Sequence, residues 1–495
     1  MIPLEYLLRQ SVRLEPQTGG TWRVVCRSPL NVLLVNEAAA RLLDHCRRGA
    51  SVSTLAAVLG LDEERVLTLC EHFRSRGILE VGRPILDPSY TPSVTVIVPT
   101  RDRAQDLDEC LEALRRLDYP GEQLDLIVVD DGSAYPRAVA EVAGRHGARL
   151  IVNERNRGQS YSRNRAADAA TDKTATEILA FIDSDCVASP YWLRDLTPYF
   201  VWDRVGAVGG RTAGYFTESR LDRYEQVASP LDMGPHLLME EAGPATFYVP
   251  TCNMLVRRSV FTGLHGLRED LTVGEDVDLC WRLRAQGHYL IYAAAGVVRH
   301  KHRSQFGPLL RRRAEYGASE ASLYSLHPDK RKHLPWAPAP LATLALLSAG
   351  VVGRRPALAV TAALPLLHDA ARRFRHLREK KSEQPAGRVL LSVARGHLSM
   401  LYFVYFHLVR YYLVLLAVAG MISRGTWRLG ALAAVYAGTV DYATRRPRLA
   451  YPTYLGCYLA EHIAYQVGVI AGCVRAETFR SYLLTLQRPT LRRTP

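Results

Sequence analysis

No Cys-x-x-Cys pair occurs in this chain. Its nine cysteines stand singly at positions 26, 46, 70, 110, 186, 252, 280, 457 and 473. That pattern is neither a zinc site nor a disulfide framework, and it fits a reducing cytosol. No Gly-x-Gly-x-x-Gly or Gly-x4-Gly-Lys-Ser follows the first strand of the central region, which argues against a dinucleotide fold and a P-loop. The opening MIPLEYLLRQ is too polar for a signal peptide, and there is no internal repeat. Acidic residues are in short supply: 49 Asp and Glu stand against 63 Lys and Arg, a formal net charge of +14. Much of the excess lies after residue 300, with eight Lys/Arg against three Asp/Glu in 301–333 and eight against two in 371–395. Basic segments beside apolar ones point to anionic lipid heads rather than nucleic acid. Hydrophobic content of 48% over 495 residues fits two or three globular domains.

Residues 1–88 read as a small helix-rich module. Periodicity over Leu30–Cys46 predicts a helix with Asn36 at its N-cap, Ser53–Leu59 a second closed by Gly60, and Asp62–Arg76 a third ended by Gly77. Strands are expected at Thr21–Cys26 and Ile78–Val81. Strand, three helices and a strand is a winged-helix outline. The third helix, however, sets Asp62, Glu63, Glu64 and Glu71 against Arg65, Arg74 and Arg76, so it lacks the positive charge that phosphate binding needs. The other use of such a module is to take an extended peptide at a sheet edge. The run from Leu30 to Glu80 resembles the PqqD-like domains that hold precursor peptides in ribosomal-peptide pathways. Residues 87–92 (DPSYTP) form the linker to the central region.

From 93 to 300 strands and helices alternate, which predicts a doubly wound parallel sheet. The strand SVTVIVP ends at Thr100, LDLIVV runs into Asp130-Asp131-Gly132-Ser133, and ILAFI runs into Asp183-Ser184-Asp185. Polar clusters at the carboxyl ends of such strands form the ligand crevice. Two carboxylates one residue apart would repel unless a cation lies between them, and hard oxygen ligands suit Mg²⁺ or Mn²⁺ shared with a substrate phosphate. Asn156-Arg157-Gly158-Gln159 opens a helix carrying Arg163, where a helix N-terminus and a guanidinium could both meet a diphosphate.

This order resembles the inverting family-two nucleotide-sugar transferases of GT-A fold. VTVIVPTRDR and LIVVDDGS resemble their uracil-binding strand ends, NRGQSYSRNRA their Asn-x-Gly-x-x-x-Ala-Arg-Asn helix start, and FIDSDC their Asp-x-Asp metal motif. The resemblance implies nucleotide-sugar contacts from Pro99, Thr100, Arg101, Asp130 or Asp131, Arg163, Asp183 and Ser184. It also implies a metal on Asp183 and Asp185, and acceptor-side roles for Asn253 and Trp281. GEDVDLCWRL matches the Glu-Asp motif in which the aspartate takes the acceptor proton, which makes Asp276 the base and Glu275 its support. A third metal ligand is expected from RHKHR, where His300 and His302 are equivalent by alternation and His300 is the choice. Gln-x-x-Arg-Trp, carried by processive polymerases of this family, is missing from SQFGPLLRRRAEYGAS, so a long-chain synthase is not expected.

Residues 331–495 hold four apolar stretches: 336–352, 356–368, 398–421 and 455–474. Internal His407, Arg410, Glu461 and His462, with a mean hydropathy of −0.07, suggest helices lying at a membrane interface or a hairpin, on the cytoplasmic face. The domain plan is thus 1–88, 93–330 and 331–495. End to end, it resembles the mycofactocin-system glycosyltransferases. That resemblance implies a UDP-glucose donor and, as acceptor, the peptide-derived redox cofactor mycofactocin or its precursor, decorated with a short β-linked glucose chain. It also implies contact of residues 1–88 with a precursor peptide or pathway protein. The alternative is a transferase acting on a lipid-linked carrier or cell-envelope glycan.

Overall fold

The computed structural model describes residues 4–17, 19–27, 30–84, 90–170, 176–240, 246–380, 382 and 384–487. The N-terminal module holds β1 (Leu4–Leu8), β2 (Val12–Pro16), β3 (Thr21–Arg27), β4 (Leu30–Asn36), α1 (Glu37–His45), β5 (Ala50–Ser51), α2 (Val52–Leu59), α3 (Glu63–Ser75) and β6 (Leu79–Pro84). The three helices sit where their caps place them, with Asn36, Ser51 and Asp62 each accepting a backbone N–H of the first turn. The expected helix from Leu30 is corrected. LNVLLVN is a strand, because its β-branched and leucine side chains pair in register with β3, and the helix begins only at Glu37. Of the expected linker, residues 87–89 lie outside the described residues.

Two sheets, β2-β3-β4 and β5-β1-β6, flank these helices. In the first, the outward-facing backbone of β4 is already taken. Arg373 donates to the Leu30 carbonyl, Lys380 to that of Val32 at 3.0 Å, Ser392 Oγ accepts from Leu30 N–H at 3.4 Å, and Asn31 Oδ1 accepts from Val32 N–H at 3.0 Å. The module is no loosely tethered appendage either. Tyr6, Cys70, Phe73 and Leu79 share one buried cluster with Trp202 and Tyr289 of the next domain.

The central domain comprises β7 (Val94–Thr100), α4 (Ala104–Arg115), β8 (Leu124–Asp130), α5 (Pro136–Arg145), β9 (Arg149–Val152), α6 (Gln159–Ala169), β10 (Ile178–Ile182), β11 (Cys186–Ala188), α7 (Trp192–Leu196), β12 (Val205–Gly209), β13 (Thr212–Gly214), α8 (Arg220–Ala228), β14 (Leu238–Glu240), β15 (Asn253–Arg257), α9 (Arg258–Gly263), α10 (Glu275–Ala285), β16 (Tyr289–Tyr292), β17 (Val298–His300) and α11 (Phe306–Leu326). The main sheet runs β14-β16-β12-β15-β10-β7-β8-β9. Strands β10, β7, β8 and β9 are mutually parallel, as the alternating pattern predicts. The sheet as a whole is mixed, which corrects the all-parallel expectation: β15 lies antiparallel between β10 and β12, and β14 is antiparallel at the edge. All five residues of β10 are buried, as a central strand covered on both faces requires. Its carboxyl end delivers Asp183 to the same rim as Thr100 and Asp131. A small second sheet, β11-β17-β13, pairs Cys186 with His300.

The C-terminal region holds β18 (Lys332–Pro335), α12 (Pro338–Gly353), α13 (Pro356–Thr361), α14 (Ala363–Glu379), α15 (Ala386–Gly420), α16 (Arg424–Arg445), α17 (Tyr451–Arg475) and β19 (Leu484–Gln487), which pairs with β18. Helices α12 and α13 form the expected hairpin around Arg354. By length and composition α15 and α17 could cross a membrane. α15 buries Val389, Val393, His397, Tyr405 and Val409 on one side and exposes Leu391, Leu398, Leu415 and Val418. Arg410, Glu461 and His462, the ionisable residues inside the apolar stretches, face the protein, while Arg388, Arg395 and Arg475 toward the helix ends are exposed. Glu461 is 3.3 Å from Arg313 of α11 and accepts from Tyr224 at 3.0 Å, while Arg410 lies 3.8 Å from Glu461. They therefore do not count against lipid contact on the outer faces. α17 presses onto α11 backbone to backbone: a Cβ at Gly468 would come within 1.9 Å of the Ala314 carbonyl oxygen, and one at Gly317 within 2.1 Å of that of Tyr465.

Candidate active site

The strand ends, the start of α10 and the inner faces of α11, α15 and α17 enclose one cavity of about 620 Å³. Its donor side is built by the loops after β7, β8 and β10. Pro99, Thr100, Arg101, Asp131, Asp183, Ser184 and Asp185 all line it, as the motifs predict. Between Arg101 and Arg103, Asp102 holds a left-handed backbone with φ of 55°. Asp tolerates this because its short side chain bonds locally: Asp102 Oδ1 accepts from Ala134 N–H at 2.7 Å, and its own N–H donates to Ser133 Oγ at 2.9 Å. The two loops are thereby locked together, and Arg101 and Arg103 turn to the cavity. Arg103 forms an ion pair with Asp185.

Of the adjacent aspartates only Asp131 reaches the cavity. Its carboxylate accepts from Asn153 Nδ2, Arg157 N–H and Gly158 N–H, each at 2.8 Å, and so shapes the loop that opens α6. Asp130 is fully buried and accepts Ser133 N–H at 3.0 Å, which closes the turn; it does not line the cavity, and its Oδ2 has no partner among the described residues.

Two further expectations are corrected. Arg163 is fully buried and does not line the cavity. Its guanidinium donates to Asp183 at 2.5 Å and to Glu275 at 3.4 Å, bridging the two acidic motifs rather than meeting a diphosphate. Asn253 is fully buried too. Its side chain accepts from Trp192 Nε1 at 2.8 Å and donates to the Arg211 and Gly296 carbonyls at 3.0 Å, so every group it could offer an acceptor is engaged. Position 253 opens β15 with its side chain turned away from the crevice.

Glu275 and Asp276 begin α10 because Gly274, at φ 92°, makes the sharp entry that L side chains avoid. Both line the cavity. Glu275 is held by Gln159 at 2.7 Å and by Arg163. Burial, then the neighbouring Asp276 charge, push it up to about 7 against the pull of Arg163. Asp276 is also raised by burial, and Val277 N–H and Arg163 oppose that. Among the described residues no side chain donates to Asp276. Of the pair it is the carboxylate without a side-chain partner among the described residues, and it accepts the Val277 N–H at 2.8 Å. Trp281, one turn on, lines the same space.

Potential metal-ligating atoms of Asp185, Cys186 and His300 lie within 4.8 Å of one another; Asp183, the expected partner of Asp185, lines the same cavity but is not part of that group, and its carboxylate pairs with Arg163. Pairing of Cys186 with His300 sets the imidazole Nε2 3.6 Å from Asp185 Oδ1. The other ring nitrogen is buried and has no partner among the described residues. One imidazole with carboxylate oxygens suits Mn²⁺ or Mg²⁺; the buried Cys186 thiol beside them is a soft ligand and does not. His302, equivalent to His300 by sequence, turns instead to Asp222 at 3.2 Å.

Residues the motifs did not flag also meet here. Arg103 and Gln159 lie inside the quoted motifs, so their positions were available to reading. Arg303 lies in the quoted RHKHR, just before α11; Arg312 on α11 and the aromatic residues of α15 reach the cavity only through tertiary packing.

Comparison with known proteins agrees with this architecture. The family model described as glycosyl transferase family 2 matches residues 95–264. The pre-mycofactocin glycosyltransferase of Mycobacterium tuberculosis is 32% identical over 403 residues, spanning 79% of this chain and 82% of that protein. Glycosyltransferase AglE of Haloferax volcanii is 25% identical over 243 residues, 48% of this chain and 76% of its own. Among solved structures, the Pyrobaculum calidifontis mannosyltransferase PcManGT, in complex with GDP-Man and Mn²⁺, aligns with a TM-score of 0.39 at 20% identity, over 72% of this chain and 88% of its own. With a family-2 match over the mixed sheet and a relative this similar across four-fifths of its length, the chain is a glycosyltransferase with a GT-A-type catalytic domain and belongs to the family of the pre-mycofactocin glycosyltransferases.

Proposed function

We propose that this enzyme transfers glucose from UDP-glucose, with inversion, onto pre-mycofactocin or its precursor, and extends it into a short β-linked glucose chain. The observation that carries the reading is the meeting of Asp183, Asp185 and the carboxylate of Asp276 in one cavity. The acceptor is inferred from the relative spanning most of the chain. In a single displacement, Asp276 takes the proton of the acceptor hydroxyl as its oxygen attacks the anomeric carbon, opposite the departing diphosphate. Asp183, Asp185 and His300 would hold a divalent cation, which supplies charge neutralisation for the leaving UDP. Arg303 and Arg312, which line the cavity as Arg101 and Arg103 do, offer guanidinium groups to its phosphates.

The outward apolar faces of α15 and α17, beside the basic stretches, support attachment to the cytoplasmic face of the membrane. For residues 1–88, the outward backbone groups of Leu30 and Val32 on β4 are engaged, and we place an extended pathway peptide on the edge of β2. There the bonds Gln17 to Thr21 and Arg27 to Ser11 turn the Leu14 N–H outward, and Pro16 shortens the edge. Fluorescence anisotropy with labelled precursor peptide should show binding that Leu14→Pro removes. Binding unaffected by that change would move the peptide elsewhere.

The test of the main reading is a transfer assay on purified protein with UDP-glucose, UDP-galactose and GDP-mannose, each with Mg²⁺, Mn²⁺ or EDTA. Expected is UDP release that stops with EDTA, coupled to successive hexose increments on pre-mycofactocin. Hexose appearing only on lipid would favour the carrier reading. Full-length chains at the first turnover would contradict stepwise extension.

A further inference from the structure

The cavity does not end at the catalytic carboxylates. Past Asp276 it continues into the C-terminal helices, where Tyr316 of α11, Phe403, Phe406, His407 and Tyr411 of α15, and Tyr465 of α17 line it. The charged groups of this arm are engaged with one another. Glu320 accepts from Tyr411 at 2.8 Å, from Tyr465 at 2.5 Å and from Lys332 at 3.0 Å. Lys332 Nζ stands 3.7 Å from the centroid of the Tyr411 ring, and the Arg410 guanidinium 3.2 Å from that of Tyr465. This knot ties α11, α15 and α17 together and fixes the rings; it leaves little charge for a ligand.

Beside this arm the Trp281 Nε1–H and His407 Nε2 are buried and without a partner among the described residues, as are Thr100 Oγ1, His300 Nδ1 and Arg312 Nε elsewhere in the lining. Trp281 is 3% exposed, and its ring is braced by Tyr324 and His327 with centroids 6.2 and 5.2 Å away. Buried donors and acceptors are ordinarily paired, and an orphan in a cavity wall is the kind of group a ligand satisfies. Ring faces, one N–H donor and one imidazole nitrogen therefore define what the arm takes: an uncharged, flat-bodied molecule with hydrogen-bonding groups on its rim.

We propose that this arm is the acceptor subsite, and that α15, through Phe406 and His407, sets acceptor specificity. The inference rests on the glycosyltransferase reading above and deepens it. The C-terminal helices would be half of the active site as well as a membrane-facing surface, and the start of α10 would receive the acceptor hydroxyl between the two halves. The packing is consistent with such a role: the close approach of Gly468 and Gly472 to the Ala314 and Ala318 carbonyls holds the wall of the arm rigidly against the catalytic domain.

The experiment is a full kinetic matrix on the full-length enzyme, with UDP-glucose as donor and pre-mycofactocin as acceptor. Phe406→Ala and His407→Ala are expected to raise the acceptor KM at least tenfold while the KM for UDP-glucose stays within twofold. His407→Gln, which keeps a hydrogen-bonding group, should recover most of the loss. Phe406→Leu, which keeps packing volume, carries the test should the alanine variant misfold, and an acceptor KM raised severalfold is expected. Unchanged acceptor KM in Phe406→Leu and His407→Ala, with transfer intact, would overturn this inference alone. Wild-type protein that releases UDP but never glycosylates pre-mycofactocin would overturn the proposed function and this inference with it.

Discussion

Asp276→Asn is expected to lower the transfer rate by about 10²–10⁴, the usual contribution of a general base, with little change in UDP-glucose affinity. The aspartate lines the cavity, no side chain neutralises it directly, and the asparagine has nearly the same shape, so the backbone of α10 has no reason to move. The pH profile sharpens the test. Burial raises both Asp276 and Glu275, the latter to about 7, so the pair picks up its first proton near neutrality. A base works only when ionised: kcat/KM should be full at high pH and fall as pH drops through the Asp276 value, which burial holds above the ordinary aspartate range. In Asp276→Asn the like charge that lifts Glu275 is gone, so any residual activity should show an acid limb displaced to lower pH. Glu275→Gln should leave a working base and a smaller loss. Wild-type rates in Asp276→Asn, with the acid limb unmoved, would assign the base elsewhere.

How far the site could be read from sequence depends on how local each feature is. Strand ends and helix starts are written in short runs. ILAFI before Asp-Ser-Asp, Gly-Glu-Asp opening a helix, and Asn36 and Asp62 at helix starts all depend on residues a few positions apart. What the motifs could not show is which way a side chain turns once the sheet forms. Asn253 sits at the head of β15, beside lining residues Thr251 and Cys252, yet its amide is claimed by Trp192 and two carbonyls 42 and 43 residues away in sequence. His300 and His302 share a face by alternation, but the two are separated by partners, Asp185 for one and Asp222 for the other. The strand at Leu30 was hidden because a leucine-rich run fits either period, and only pairing with β3 decides it. The acceptor arm lies furthest from sequence, since α15 reaches Asp276 across more than a hundred residues of chain.

Arg163 separates the motif-based expectation from the structural one most sharply. Read from sequence it binds phosphate; in the fold its fully buried guanidinium joins Asp183 to Glu275. Arg163→Met should destabilise the protein by about 3–5 kcal/mol, as removal of one partner from a buried ion pair does, with the lower end favoured because Asp183 keeps 29% of its side-chain exposure. Thermal or urea unfolding reads this directly. A second consequence is independent of simple loss of packing. Arg163 opposes the upward shift of both Glu275 and Asp276, so its removal must let them rise further. The acid limb of the pH profile should then move to higher pH, and Arg163→Lys, which restores the charge but not the two-pronged geometry, should bring it part of the way back. The sign follows from the charge alone: without the cation the carboxylates hold their protons to higher pH, and the base is ionised over a narrower range. If Arg163→Met instead kept its stability and its pH profile and lost only affinity for UDP-glucose, the arginine would be a phosphate ligand after all. The bridge between the two acidic motifs would then be a feature of the donor-free state.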